Sequence, residues 1–581
     1  MPRILRFIVV LLLYAGIFLV FTWPLAGNFS TAFPAVPGHD SYQFYWNVWH
    51  FREAVTTGHN PFFTDWLFYP VGSGLIMHAY IPIIGLLAVL VGNEMLAINL
   101  GLLASYALSG TGAYYLARRW VKNPVLGLLA GFIFAYSPYK LQRLPEHFNL
   151  VLTATVPFYV LAFLRAFEFQ EGRFLPVVRS WAAVLACGLL GIITLFSDYY
   201  VLFGLIYFSL LYASWYWLRI GRLNWRNWRN WRTWAVLAGI LLVSHIGIRL
   251  LRLAGVPDTG KWWGGDVVAF LLPPATSRWL DFAWAERLYN SSLFNMPGSI
   301  ENTLFIGYAL PLLALGLWLW RRRPRSLRSQ DAQGRPLIWV LVVFLLFTVP
   351  TLRVYGHERL NLPTSLLHFI PFFNNIRCPT RWIMLVGLLL PIISFSALEA
   401  AWQGLKPASR YLLSAGLFAV VALEFWPKPY YQATAASVPA FYRQLAARPG
   451  TTLVPIPLGV TDGNRQAGHL PTEQLFYQAF HRKKLPGGYL SRVKPELFLA
   501  LRQQPVLRAL LQVQTHPDSL GTSPTPEQMR AFLQQYKPAA FVIDSSYQHH
   551  PVRPYLRQLL QPFGYTEQLV EQRVLFVPSP R

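Results

Sequence analysis

Residues 4–23 read ILRFIVVLLLYAGIFLVFTW, with Arg6 as the one charge, and this stretch decides the fold class. At 1.5 Å per residue such a run reaches about 30 Å, the thickness of bilayer hydrocarbon. Arg3 and Arg6 ahead of apolar residues give it the outline of a signal peptide. No small-x-small cleavage site follows and the run is long enough to span, so it is read as an uncleaved first helix. Comparable blocks recur at 94–117, 124–138, 149–166, 180–196, 199–217, 234–251, 303–320, 337–350, 381–400 and 409–425, giving about eleven spans. Composition agrees: 54% of residues are hydrophobic, 16% aromatic and only 13% charged, far below the quarter usual in soluble chains.

Segment 79–92 is apolar but short, and reads as a re-entrant or interfacial helix; if it spanned, every later loop would change sides. The basic residues decide between these options, because cytoplasmic loops concentrate Lys and Arg. They fall at Arg3/Arg6, at Arg118, Arg119 and Lys122, at Arg165/Arg173/Arg179, in RIGRLNWRNWRNWR at 219–232, in RRRPRSLR at 321–328, and at Lys406/Arg410. All six segments share one side only if 79–92 does not cross. The expected topology is a plasma-membrane protein with its N-terminus cytoplasmic and its C-terminus outside. The repeated Asn-Trp-Arg of 219–232 suits a cytoplasmic anchor on anionic headgroups.

The same distribution accounts for the net charge of +25 without nucleic acid, since no basic, aromatic-studded soluble module accompanies it. Cys187 and Cys378 are too few for a metal-ligand pattern or a disulfide framework. No phosphate-binding glycine loop, Ser-His-Asp pattern or zinc-helix motif occurs, which disfavours direct use of a nucleotide sugar.

The expected architecture is an all-α polytopic membrane domain over 1–426, including a large outer loop at 24–93, followed by an extracytoplasmic α/β domain over 427–581. In the tail, 451–459, 539–546 and 573–579 have strand-like β-branched runs, while 526–536 and 554–563 have helical spacing. In the first loop, Ser41 to Val55 has aromatics at helical spacing and suits an amphipathic helix on the membrane surface. Asp40 stands just before it, either as its N-cap or as a general base or metal ligand at the membrane–water boundary.

An Asp soon after the first span, opening a large outer loop with interfacial helices, resembles the GT-C superfamily of polytopic glycosyltransferases, which use polyprenyl-phosphate or polyprenyl-diphosphate sugar donors. The likeness is to family 39 or RgtA/B/C/D-like bacterial membrane proteins and their YfhO-like relatives, and it covers the span layout of 1–425 and the outward tail. The resemblance implies a transferase acting on an extracytoplasmic glycan, lipid or protein acceptor, with Asp40 as the catalytic acid residue of the first loop. Glu146, in SPYKLQRLPEHFN, matches by topology a second acidic residue that assists the first or binds a divalent ion.

Other outward residues divide between function and structure. His39, Asp40, Glu146 and His147 together offer oxygen and nitrogen ligands for Mg or Mn, although no spacing demands it. Asp198 and Glu301 read as turn or helix-start charges, with catalysis as the alternative. Arginines are unusual outside, and guanidinium binds phosphate oxygens bidentately. Arg377 and Arg381, four apart at the head of a span, are the expected clamp for the lipid phosphate, with Arg353 and His147 beside them. Arg353 and Arg359 read equally as partners of headgroups or Glu358. Lys261 and Arg278 are weaker choices, and Trp262 and Trp263 read as interfacial anchors or sugar-stacking rings. The basic patch 478–492 reads as a solvated loop, or as a contact for an anionic acceptor or lipid headgroups. The competing classes are a lipid-linked-glycan flippase, to which His245 and Arg249 are relevant as ionisable residues inside a span, and a non-catalytic scaffold.

Overall fold

The computed structural model describes residues 2–220, 231–256, 264–320, 333–370, 373, 376–517 and 523–579. The anchor segment 219–232, the run 321–328, and Lys261, Trp262 and Trp263 lie wholly or largely outside the described residues. The chain divides into two compact units. One comprises Met1–Ala26, Leu102–Leu144 and Leu150–Pro429, and the other Gly27–Gly101, Pro145–Asn149 and Tyr430–Arg581.

The first unit is helical. Each of the eleven apolar blocks contains a helix. Among the described residues, six helices are long and apolar enough to cross a membrane: Arg3–Phe21, Glu94–Ala117, Pro124–Arg143, Tyr199–Leu218, Trp234–Leu253 and Pro379–Ala401. Others, such as Thr155–Ala166 and Arg335–Thr348, are shorter. Ile4, Leu12, Val243 and Leu250 lie exposed on these helices, a surface that suits lipid and not water. Inward faces are close-packed at small residues. Tyr14 donates to the Leu128 carbonyl at 2.7 Å and fills the space left by Gly110 and Gly131. A Cβ on Gly131 would strike the Tyr14 hydroxyl and the Gly110 carbonyl. Gly131→Ala is therefore expected to cost about 1–3 kcal/mol, as overpacking does, visible as a lowered melting temperature in detergent.

The second unit joins the tail to the first loop. Its main sheet has the order Tyr565–Val570, Arg573–Pro578, Pro538–Ile543, Thr452–Ile456. Thr452–Ile456 runs parallel to Pro538–Ile543 and the remaining pairs are antiparallel. A second sheet holds Gly459–Thr461 between Gln466–Gly468 and Gly488–Tyr489. The expected division at 426/427 places the outer loop with the membrane domain, whereas in this unit Gly27–Gly101 groups with Tyr430–Arg581. Ala32–Pro34 pairs antiparallel with Gln432–Thr434, Leu485 N–H donates to the Trp66 carbonyl at 2.8 Å, and Trp46 Nε1 donates to Gln478 Oε1 at 2.6 Å.

The helix Ser41–Thr56 is likewise not a surface helix. Every residue from Ser41 to Phe51 is buried. Its polar side chains find partners inside: Gln43 bonds the Tyr489 carbonyl, Asn47 bonds the Ala79 carbonyl and His78, and His50 bonds Tyr80. A helix clothed in aromatics on all sides gains most by being enclosed, provided each polar group is satisfied.

Candidate functional site

Asp40 occupies the N-cap position of Ser41–Thr56, but its backbone is helical and its side chain makes no capping bond. The capping alternative is thus removed. Its Oδ1 instead accepts a hydrogen bond from the Tyr489 hydroxyl at 2.7 Å, and its Oδ2 lies 3.5 Å from His147 Nε2. The carboxylate keeps 29% of its surface exposed, enough for a ligand to reach it. Tyr489 is fixed by register, since Thr461 pairs with Tyr489 and Val460 with Gly488, and by the bond from Gln43 to its carbonyl at 3.2 Å. The turn leading to Asp40 is held by Glu473, whose Oε1 accepts from Gly38 N–H at 2.7 Å. Gly38 has φ +80°, which glycine adopts without a steric penalty.

Glu146 and His147 reach the same unit through the short segment Pro145–Asn149. His39 Nδ1 lies 3.2 Å from Glu146 Oε2. The hydrogen bond to Glu146 raises the His39 pKa above its ordinary value, against burial, and the charges of Glu146, Asp40 and Glu473 add to the rise. Two neighbouring rungs result, His39 with Glu146 and Asp40 with His147, each joining an imidazole to a carboxylate. Phe148 anchors the segment against Phe44, with ring centroids 5.6 Å apart. The four residues make these two pairs, and among the described residues no three His, Cys, Asp or Glu groups are arranged to hold a metal.

The arginines belong to the helical unit, and most are already engaged. Glu301 Oε2 accepts from Arg143 Nη2 at 2.8 Å and from Arg381 Nε at 3.1 Å, and Oε1 accepts from Arg381 Nη2. Arg143 is fully buried and lies over Tyr139, and Arg381 lies over Tyr200. Arg377 and Arg381 do not share a helical turn, because the helix at 379–382 is 3-10 and begins after Arg377. Arg377, half-buried, acts electrostatically on Tyr200 alongside Arg381. Arg353 is buried 3.9 Å from Asp266, a carboxylate that also accepts from the N–H groups of Val268, Tyr355 and Gly356. Of the residues expected to clamp the lipid phosphate, Arg381 is thus hydrogen-bonded to a buried carboxylate and Arg353 lies near another, and a charge paired inside the fold is less open to a ligand.

The remaining candidates resolve locally. Asp198 caps its helix through Val201 N–H at 3.0 Å, Glu358 pairs with Arg252, and Arg359 is exposed. Arg278 lies over Trp279, and His245 accepts from Asn361 N–H. Arg249 is exposed. In the basic patch, Arg482 pairs with Glu53 and Lys484 with Asp65, while Lys483 donates to the carbonyls of Arg448 and Gly450. That patch fastens the first loop to the tail. Sequence reasoning missed Tyr489, Lys140 and Arg143. Lys140 is fully buried and donates to Thr153 and Ser109; a Lys and an Arg three apart at the end of an apolar block were the available signal. Tyr489 had none.

Three further histidines in the second unit are held neutral. Nδ1 of His78 accepts from Ser491 N–H and Nδ1 of His481 from Lys483 N–H, at 3.0 Å each. Burial lowers His78 and His481 to about 3 and His50 to about 4. Below about pH 6.5 the unfolded chain takes up protons that the folded chain refuses, so stability falls by about 1.4 kcal/mol per pH unit for each histidine. Above that pH they cost nothing. Thermal melts of the full chain in detergent between about pH 7 and 5 check this. His78→Gln should flatten the slope whatever it does at neutral pH, and an unchanged slope would overturn the assignment.

Fold and composition define a multi-pass membrane protein with a loop-and-tail α/β unit. Residues 10–426 match the model of a domain of unknown function, DUF6311, and the chain belongs to that family. No curated protein sequence matches it. Among solved structures it is similar to the Archaeoglobus fulgidus oligosaccharyltransferase in the apo form, at 13% identity over 93% of this chain and 70% of that one, TM-score 0.47. It is also similar to the archaeal oligosaccharyltransferase AglB from the same organism in complex with an inhibitory peptide and a dolichol-phosphate. That likeness has 12% identity over 99% of this chain and 74% of that one, TM-score 0.45.

Proposed function

We propose that this protein is a GT-C-type glycosyltransferase that moves a sugar from a polyprenyl-phosphate donor to an acceptor outside the cytoplasm. The observation carrying this reading is Asp40: a partly exposed carboxylate at a helix start that does no capping. Tyr489 orients it through Oδ1, and Oδ2, which faces His147 Nε2 at 3.5 Å, is the oxygen that takes the acceptor hydroxyl's proton. The hydroxyl oxygen then attacks the anomeric carbon, the bond from that carbon to the phosphate oxygen breaks, and polyprenyl phosphate leaves with the electron pair, inverting the configuration. Glu146 and His147 act as helpers, by holding His39 and by facing Asp40. A divalent ion is given no step, because the donors present form pairs and not a cluster.

The eleven-span topology with the N-terminus inside is part of the same proposal, supported by the six basic segments. The flippase reading draws on Lys140, a buried amine inside the candidate span Pro124–Arg143. That residue sits in the last turn of the span and not at its middle, which favours the transferase. The test is a set of radiolabelled undecaprenyl-phosphate hexoses in vesicles holding the purified protein, with release of undecaprenyl phosphate as the readout. The parent should consume at least one donor and Asp40→Asn none. Equal turnover by both would sink the proposal.

A further inference from the structure

We infer that residues 76–91 are inserted into one leaflet of the bilayer, on the side of the Asp40 site, and enter and leave it by the same face. The stretch IMHAYIPIIGLLAVLV contains no Asp, Glu, Lys or Arg, and its one titratable imidazole, His78, is buried against Asn47. The helix Pro82–Val91 packs its Ile84, Gly85 and Ala88 face inward, with Gly85 against the Phe51 ring. Its opposite face carries Ile83, Leu86 and Leu90, the last 75% exposed, next to exposed Ile76 and Met77. A helix facing water carries polar residues on that side, and this one carries none. Ten residues reach about 15 Å, half the hydrocarbon thickness.

Hydrogen bonds at the two ends of the loop show that it returns to where it began. Asn93 Nδ2 donates to the Ser30 carbonyl at 2.9 Å. Asn99, fully buried, donates to the carbonyls of Phe29 at 2.9 Å and Ala32 at 2.7 Å. A crossing by 82–91 would put about 30 Å of hydrocarbon between these partners. Just past the helix, Arg52 and Glu94 pair at 2.6 Å, a charged rung that belongs at the polar edge of the leaflet. Glu94 also opens a crossing-length helix, Glu94–Ala117, so chain connectivity brings the apolar face to the membrane. The occupant of that face is therefore lipid. The leaflet role expected of Ser41–Thr56 belongs to this later helix, and the inference is independent of the transferase reading.

Single cysteines in the full-length protein test it, with the buried Cys187 and Cys378 of the parent as background. Bimane on Leu86→Cys and Leu90→Cys, in vesicles of phosphatidylcholine bearing a shallow nitroxide, should be quenched about twofold or more, as for a helix lying 5–10 Å deep. Asn28→Cys, His59→Cys and Asn93→Cys should all react with an impermeant maleimide added to the same side. Labelling of His59→Cys and Asn93→Cys from opposite sides would mean a crossing and overturn the inference. So would an absence of quenching at 86 and 90, whether the impermeant reagent reached them, indicating water, or failed to, indicating a protein partner.

Discussion

Asp40→Asn is expected to lower sugar transfer by about 10²–10⁴-fold, the range a positioned general base contributes. Asparagine keeps an oxygen that accepts from the Tyr489 hydroxyl and keeps the size of the side chain, so the local fold persists. It cannot take a proton from the acceptor. Melting temperature and membrane insertion should match the parent, because the carboxylate caps nothing. Tyr489→Phe separates positioning from chemistry: loss of one hydrogen bond to a charged group, worth about 1.5–3 kcal/mol, should lower kcat by about tenfold or more and leave KM unchanged. A Tyr489→Phe variant with parental kcat would show that Asp40 needs no such support, and normal transfer by Asp40→Asn would remove the base itself.

The largest effect on stability is expected at Glu301. Glu301→Ala strands the buried guanidinium groups of Arg143 and Arg381, which it now holds through three hydrogen bonds. Breaking a buried pair from one side costs about 3–5 kcal/mol, since the remaining charge has neither water nor a partner. Two arginines share this carboxylate, so the upper part of that range applies. Thermal unfolding in mild detergent should show a sharply lowered midpoint and poor recovery of folded protein. Replacing Arg143 and Arg381 with Met in the same chain should restore part of the loss, because the stranded charges are gone. A Glu301→Ala variant as stable as the parent would mean that water reaches this cluster.

The helical blocks were legible because hydrophobic length is a local property: each contains a helix, and six helices among the described residues are long and apolar enough to cross a membrane. The strands Thr452–Ile456, Pro538–Ile543 and Arg573–Pro578 were legible too, as β-branched runs bounded by turns. Tyr565–Val570 was not, because its exposed edge alternates without an apolar face. The amphipathic pattern of Ser41 to Val55 suits a membrane surface, but its polar residues bond Tyr489, Ala79, His78 and Tyr80 inside the unit instead of facing water.

By itself the sequence determined that this chain lives in a membrane, where its helices fall, and that Asp40 deserved testing as more than a cap. Only the tertiary structure decided that Asp40 does not cap, that Tyr489, 449 residues away, holds it, that Arg381 is bound to Glu301, and that Arg353 lies beside Asp266. The reason is physical. Burial and span length follow from the composition of neighbouring residues, but whether a charge is spent on the fold or kept for a ligand depends on which distant group meets it, and only the folded chain selects that partner.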